Sequence, residues 1–154
     1  MGVIEAGMAA PDFSLPDETG TPVSLSSLRG SRVVLYFYPR DDTPGCTAQA
    51  CGIRDQWSDF QGVDAVVLGV SPDDVASHVR FKEKYGLPFT LLSDPDHAVA
   101  EAYGVWGERS LYGKTFMGIT RSTFVIDAGG TVAEAMYGVK PGTHAERVLA
   151  ALAG

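Results

Sequence analysis

The chain has 154 residues, 45% hydrophobic and 20% charged, the composition of a folded globular protein of one domain, 1–154, with one continuous core. Nineteen Asp and Glu against twelve Lys and Arg leave a net charge of −7, which works against phosphate backbones and anionic lipid, so nucleic acid is not an expected partner. No apolar run approaches the roughly 20 residues that span a bilayer.

Met1–Pro11 has neither the basic start nor the long apolar stretch of a signal peptide. Gly2 follows Met1, but Ala6 stands where an acylation pattern needs Ser or Thr. A cytoplasmic enzyme without membrane association is the expectation. Two cysteines are too few for a disulfide scaffold, and a reducing compartment keeps them as thiols.

Phe13–Ser24 carries a turn at Gly20 and is expected to form a small hairpin. Val33–Tyr38 (VVLYFY) and Ala65–Val70 (AVVLGV) are uninterrupted runs of β-branched, aromatic and aliphatic residues, as in central strands buried on both faces. Between them Ala50, Ile53, Trp57 and Phe60 recur at helical spacing. Strand, helix, strand in that order is a βαβ unit with two parallel strands and a right-handed crossover. Ser71–Asp74 reads as the start of a second helix reaching about Tyr85.

Phe89–Leu92 follows as a short strand and Pro95–Tyr103 as a short helix. Gly104–Gly118 holds four glycines and reads as a mobile loop beside the site, or as a plain surface connection. Thr123–Ile126 and Val132–Tyr137 flank Asp127-Ala128-Gly129-Gly130, a strong hairpin signal, and Thr143–Leu149 should be a helix on the sheet. The expected fold is α/β, with a mixed sheet that is parallel in its first half and antiparallel at its closing hairpin.

Chemistry points to the segment Pro39–Cys46, between the first central strand and its helix. The carboxyl end of a strand in an open α/β sheet is a common place for a site. Thr43 or Asp42 is placed to cap the helix, and Pro44 suits its first turn. Cys46 then lies in that turn beside unpaired N–H groups, a position that favours the nucleophilic thiolate. An ordinary thiol is only about 3% ionised at pH 7, so full ionisation is worth roughly 30-fold in rate. Further acceleration requires donors aimed at the atoms on which charge develops, and the Thr43 hydroxyl and Arg121 charge are the candidates.

Cys46 extends the apolar stripe of Ala50 and Ile53, whereas Cys51 lies about 140° around the helix and about 8–9 Å away between Cα atoms. A disulfide needs Cα atoms within about 7 Å, so an intact helix cannot bridge the two. If they pair, the first turns must unwind, and Pro44, Gly45 and Gly52 weaken helix there.

Tyr38-Pro39 followed by DDTPGCTAQAC resembles the active-site segment of the peroxiredoxin Q, or bacterioferritin comigratory protein, subfamily of peroxiredoxins. The peroxiredoxin pattern of Pro, three residues, Thr, two residues, Cys falls on Pro39, Thr43 and Cys46, and the subfamily's resolving cysteine on Cys51. The likeness continues through Ile53-Arg54-Asp55, Phe89–Asp96 (FTLLSDPD), Tyr103–Gly107 and Arg121–Phe124, where the family arginine is Arg121. Gln49 departs from the pattern, in which Glu is frequent, and the change removes no catalytic role.

The resemblance implies a thioredoxin-like fold and a single domain of the AhpC/TSA type, commonly monomeric. It implies reduction of hydrogen peroxide and organic hydroperoxides by a Cys46 sulfenic acid, a Cys46–Cys51 disulfide, and regeneration by thioredoxin or a similar dithiol. Sulfur carries both electrons, so no cofactor is required.

Competing readings are a thioredoxin-like disulfide reductase and a non-catalytic peroxide sensor. The four residues between the cysteines argue against the tight Cys-x-x-Cys ring of the first. Cys46 as a structural thiol, Cys51 as a helix cysteine without function, Thr43 as a plain cap and Arg121 as a solvated residue are the ordinary alternatives for each position. Trp106 and Phe116 read as core or pocket lining. His78, His97 and His144 lie far apart without ligand spacing and are expected at the surface, so no metal site is indicated.

Overall fold

The structure, a computed structural model, describes residues 4–153 apart from the side chain of Leu111. The readings made on Met1 and Gly2 fall outside the described residues. In chain order the elements are β1 (Ser14–Pro16), β2 (Pro22–Ser24), β3 (Arg32–Phe37), α1 (Pro44–Asp55), α2 (Trp57–Gly62), β4 (Ala65–Ser71) and α3 (Val75–Tyr85). They continue with β5 (Thr90–Ser93), α4 (Ala98–Ala102), β6 (Trp106–Leu111), β7 (Lys114–Ile119), β8 (Ser122–Ile126), β9 (Val132–Tyr137) and α5 (His144–Ala153).

The central sheet runs β5-β4-β3-β8-β9, parallel from β5 to β3 and antiparallel from β3 to β9, the mixed α/β arrangement that the apolar runs imply. β3 is central because all but its first residue is buried and its side chains alternate between two cores, one on each face of the sheet, where a single continuous core was expected. Val33, Leu35 and Phe37 face Phe13, Leu15, Leu25, Val99 and Tyr103, contributed by the N-terminal segment and by α4 with its flank. Val34, Tyr36 and Tyr38 face the layer of α1, α2, α3 and α5, through Cys46, Ala50, Ile53, Phe60, Phe81, Val148 and Leu152. The βαβ crossover β3–α1–β4 therefore lays the cysteine helix directly on the sheet.

The small early hairpin is β1–β2, closed by Asp17, whose Oδ1 accepts from the N–H groups of Thr19 and Thr21 at 2.8 and 3.0 Å. α3 begins as expected, with Asp74 accepting from Ser77 N at 2.8 Å, and it ends on left-handed Gly86. Three expectations change. The single stripe from Ala50 to Phe60 is broken at Gln56 into α1 and α2, and the break directs Trp57 onto Phe60 and Phe89, with ring centroids at 6.3 and 6.1 Å. α4 starts after His97, not at Pro95, because buried Asp94 reaches forward to accept from Val99 N and Ala100 N.

The third change is the largest. The segment expected as a loop, 104–118, is mostly strand: it carries the antiparallel pair β6–β7, joined by Tyr112 and Gly113, both at positive φ. That is the backbone of a two-residue hairpin turn, which twists with its strands. Mixed charges and exposed positions on β7 hide the alternation that would have announced it. Among the described residues no helix is long and apolar enough to cross a membrane.

Candidate active site

Pro39 and Arg40 leave the end of β3, and Thr43 occupies the N-cap position of α1 with extended backbone angles. Its side chain does not cap the helix; the Oγ1 hydroxyl donates to the Arg40 carbonyl at 3.0 Å, which leaves its lone pairs free to accept. Asp42, the other expected cap, sits at φ 59 and spends its carboxylate on Lys84 Nζ and Tyr85 Oη at 2.7 and 2.6 Å. The first turn of α1 thus keeps its backbone donors uncapped by either side chain, with Cys46 inside it and 2% exposed.

Arg121 arrives from the other half of the chain, immediately before β8. Its Nη1 donates to Cys46 Sγ at 3.4 Å and to Gln49 Oε1 at 2.6 Å. Gly45 is what lets the guanidinium in: a Cβ there would lie 3.0 Å from Arg121 Nη2. Gln49 is fully buried and neutral, and among the described residues Arg121 forms no ion pair with a carboxylate. Its positive charge is therefore not cancelled where it meets the sulfur. Cys51, half-buried on the same intact helix, is a free thiol like Cys46.

Pro39, Arg40 and Arg121 also border an open cleft whose other wall is Trp106, Phe116, Ile119 and Val139. The structure so brings Pro39, Thr43, Cys46 and Arg121 to one end of the sheet, and adds the β6–β7 hairpin as a wall. The sequence signal for that wall is the Tyr112-Gly113 pair between two six-residue stretches, which the reading as a loop passed over.

The expectation that all three histidines lie at the surface is wrong for two of them. His78 and His144 are 0% and 1% exposed, each held by a specific partner, whereas His97 is half-exposed and stacks on Trp106 at 3.8 Å between centroids. A polar ring at an apolar helical position gives no sign from sequence that it has a buried partner. Behind α1, His144 Nε2 shares a hydrogen bond with Thr123 Oγ1 at 2.7 Å. Burial, with the charges of Arg121 and Arg147, lowers its pKa to about 4.

The unfolded chain binds a proton near the ordinary value of 6.5, so stability tied to His144 is lost as pH falls from about 6.5 to about 4. Urea unfolding at pH 4.5 instead of pH 7 should lose about 2–3 kcal/mol from this one residue. A His144→Gln variant should lose correspondingly less.

A buried thiol in the first turn of a helix, with an uncancelled arginine on its sulfur, at the carboxyl end of a central α/β strand, defines a thiol-redox enzyme. The comparisons are specific. Residues 6–135 match the AhpC/TSA family. Peroxiredoxin Bcp of Escherichia coli is 48% identical over 149 residues, covering 97% of this chain and 96% of that one. Peroxiredoxin Bcp of Bacillus subtilis is likewise 48% identical over 149 residues, covering 97% and 95%. A solved structure of the Xanthomonas campestris bacterioferritin comigratory protein superposes with a TM-score of 0.90 at 40% identity, covering 97% of this chain and 98% of that one.

The chain belongs to the AhpC/TSA family, in its peroxiredoxin Q or bacterioferritin comigratory protein branch. It has the thioredoxin-like fold of those structures and is a thiol peroxidase.

Proposed function

We propose that Cys46 is the peroxidatic nucleophile and Cys51 the resolving cysteine of a cycle that reduces hydrogen peroxide and organic hydroperoxides. The observation that carries the assignment is the Arg121 Nη1 contact on Cys46 Sγ at 3.4 Å in the first turn of α1. The thiolate sulfur attacks one peroxide oxygen; the S–O bond forms as the O–O bond breaks, leaving a sulfenic acid and, after protonation, water or an alcohol. Arg121 and the Thr43 lone pairs orient the peroxide, and the guanidinium bears the charge that develops on the departing oxygen. Pro39 walls the approach.

The Cys51 thiol then condenses with the sulfenic acid, expelling water and forming the disulfide. Because the two lie on one intact helix, this step requires the first turns of α1 to open. A dithiol such as thioredoxin reduces the disulfide by exchange, in a reducing compartment such as the cytoplasm. We carry over the monomeric state that the subfamily resemblance implies. The apolar cleft wall of Trp106, Phe116, Ile119 and Val139 suits an organic substituent. The X. campestris relative is described in terms of alkyl peroxide reduction, and we carry that substrate class over on the strength of this wall.

The test is intact mass after one equivalent of hydrogen peroxide. The reduced parent should lose about two mass units within seconds, whereas Cys51→Ser should stop at a trappable sulfenic acid about 16 units heavier. A parent that reacts only as slowly as free cysteine would remove the assignment.

A further inference from the structure

α3 lies outside the chemistry just described, yet it holds the loop that delivers it. Asp41 stands between Pro39 and Thr43 and is 8% exposed. Its Oδ1 accepts from the Tyr38 hydroxyl at 2.5 Å, and its Oδ2 accepts from Ser77 Oγ at 2.8 Å and faces His78 Nδ1 at 2.7 Å. On the far side of the ring, His78 Nε2 lies 2.8 Å from the Leu92 carbonyl oxygen. Both ring nitrogens thus face oxygen acceptors, and only the protonated ring, with a hydrogen on each nitrogen, donates to both. The two side chains, 0% and 4% exposed, form a buried ion pair.

Nothing about this pair is needed to cover the core; apolar side chains of similar size would do that at lower desolvation cost. What it does is fix a loop. Asp41 N donates to Asp73 Oδ2 at 2.7 Å, and Asp42 reaches the other end of α3 at Lys84 and Tyr85. Residues 38–43 are therefore strapped along α3, while their far end starts α1 and carries Thr43 and Cys46.

We propose that Asp41 and His78 are positioning residues for the peroxide step: their buried ion pair sets the loop so that Thr43, the first turn of α1 and Arg121 meet around Cys46. The inference rests on the peroxidase assignment and deepens it. The groups facing His78 are Asp41 from the loop, Tyr38 from the end of β3, Asp73 from the turn before α3 and the Leu92 carbonyl from β5. Burial disfavours the charged ring, but Asp41, the Leu92 carbonyl and Asp73 outweigh it, leaving His78 above its ordinary value of 6.5. The strap is complete below about pH 6.5 and is lost as pH rises through the raised value. Cys46 oxidation should accordingly decline on the alkaline side, where an ordinary thiol only becomes more reactive.

Stopped-flow oxidation of the reduced protein by hydrogen peroxide, followed from pH 5 to 10, tests this, with unfolding curves run on the same samples. The parent should show the alkaline decline while still folded. His78→Gln and Asp41→Asn should each react about tenfold more slowly at pH 7 and lose that decline. Folded variants that keep the parental rate and profile would reduce the pair to a structural role and overturn the proposal. Should neither variant fold, the parental profile decides alone: a rate that climbs to a plateau and stays there overturns it. A parent no faster than free cysteine at every pH is a different result, which removes the peroxidase assignment.

Discussion

Cys46→Ser is expected to eliminate peroxide reduction, lowering kcat/KM by at least about 10³-fold. The replacement changes one atom in a side chain that is 2% exposed, and Arg121 keeps its hydrogen bond to Gln49, so the surroundings survive. What disappears is the ionised, polarisable sulfur nucleophile. A serine hydroxyl is not ionised at neutral pH, and its oxygen cannot accept a second oxygen as sulfur does in becoming a sulfenic acid. Cys51 remains, half-buried and a free thiol, but it lies on another face of α1 and has no arginine on its sulfur among the described contacts. It should react only at the rate of an ordinary thiol. Peroxide consumption with dithiothreitol as reductant measures this directly, and retention of more than about 1% of parental kcat/KM would place the nucleophile elsewhere.

How far the sequence carries the structure depends on where each signal is stored. Strand and helix positions are stored in periodicity, so β3, β4 and the closing hairpin lie within a residue or two of their apolar runs. The reactive segment is stored in local chemistry: Pro44, suited to a first helical turn, marks a helix start around Cys46. Long-range pairing is stored nowhere in a local window. The contact of Arg121 with Cys46 joins residues 75 apart, and only the family pattern suggested it.

The same holds for His78, whose partners are an aspartate 37 residues earlier and a carbonyl 14 later. A histidine with such partners looks, in sequence, like one facing solvent. Thr43 shows the opposite limit. Its residue type suggested a helix cap, but the Arg40 carbonyl competes for the hydroxyl, and that choice follows from backbone geometry alone.

Arg121→Ala should lower kcat/KM for hydrogen peroxide by about 10²–10³-fold, with Cys51 and the disulfide step untouched. The residue is placed with little freedom. Its carbonyl accepts from Val139 N at 2.9 Å, the following strand β8 is buried along its whole length, and its guanidinium lies over Gly45. One nitrogen serves both Gln49 Oε1 and Cys46 Sγ, so moving the head group by a single bond length breaks two contacts. The partner at position 49 is an amide, so the positive charge acts undivided on the sulfur and on the oxygen that leaves it.

Arg121→Lys should recover little of the loss, because the strongly hydrated ammonium on its flexible, shorter stem does not hold the fixed position that the planar guanidinium gives Nη1. Alanine also leaves Gln49 Oε1 buried without a donor, at a cost of about 1–3 kcal/mol in stability, so unfolding must be measured beside rate. An independent readout separates the two effects. The Arg121 charge helps hold the His144 pKa near about 4, so a folded Arg121→Ala variant should show that histidine titrating higher by NMR. A rate loss of less than about tenfold in the folded variant would remove Arg121 from peroxide activation.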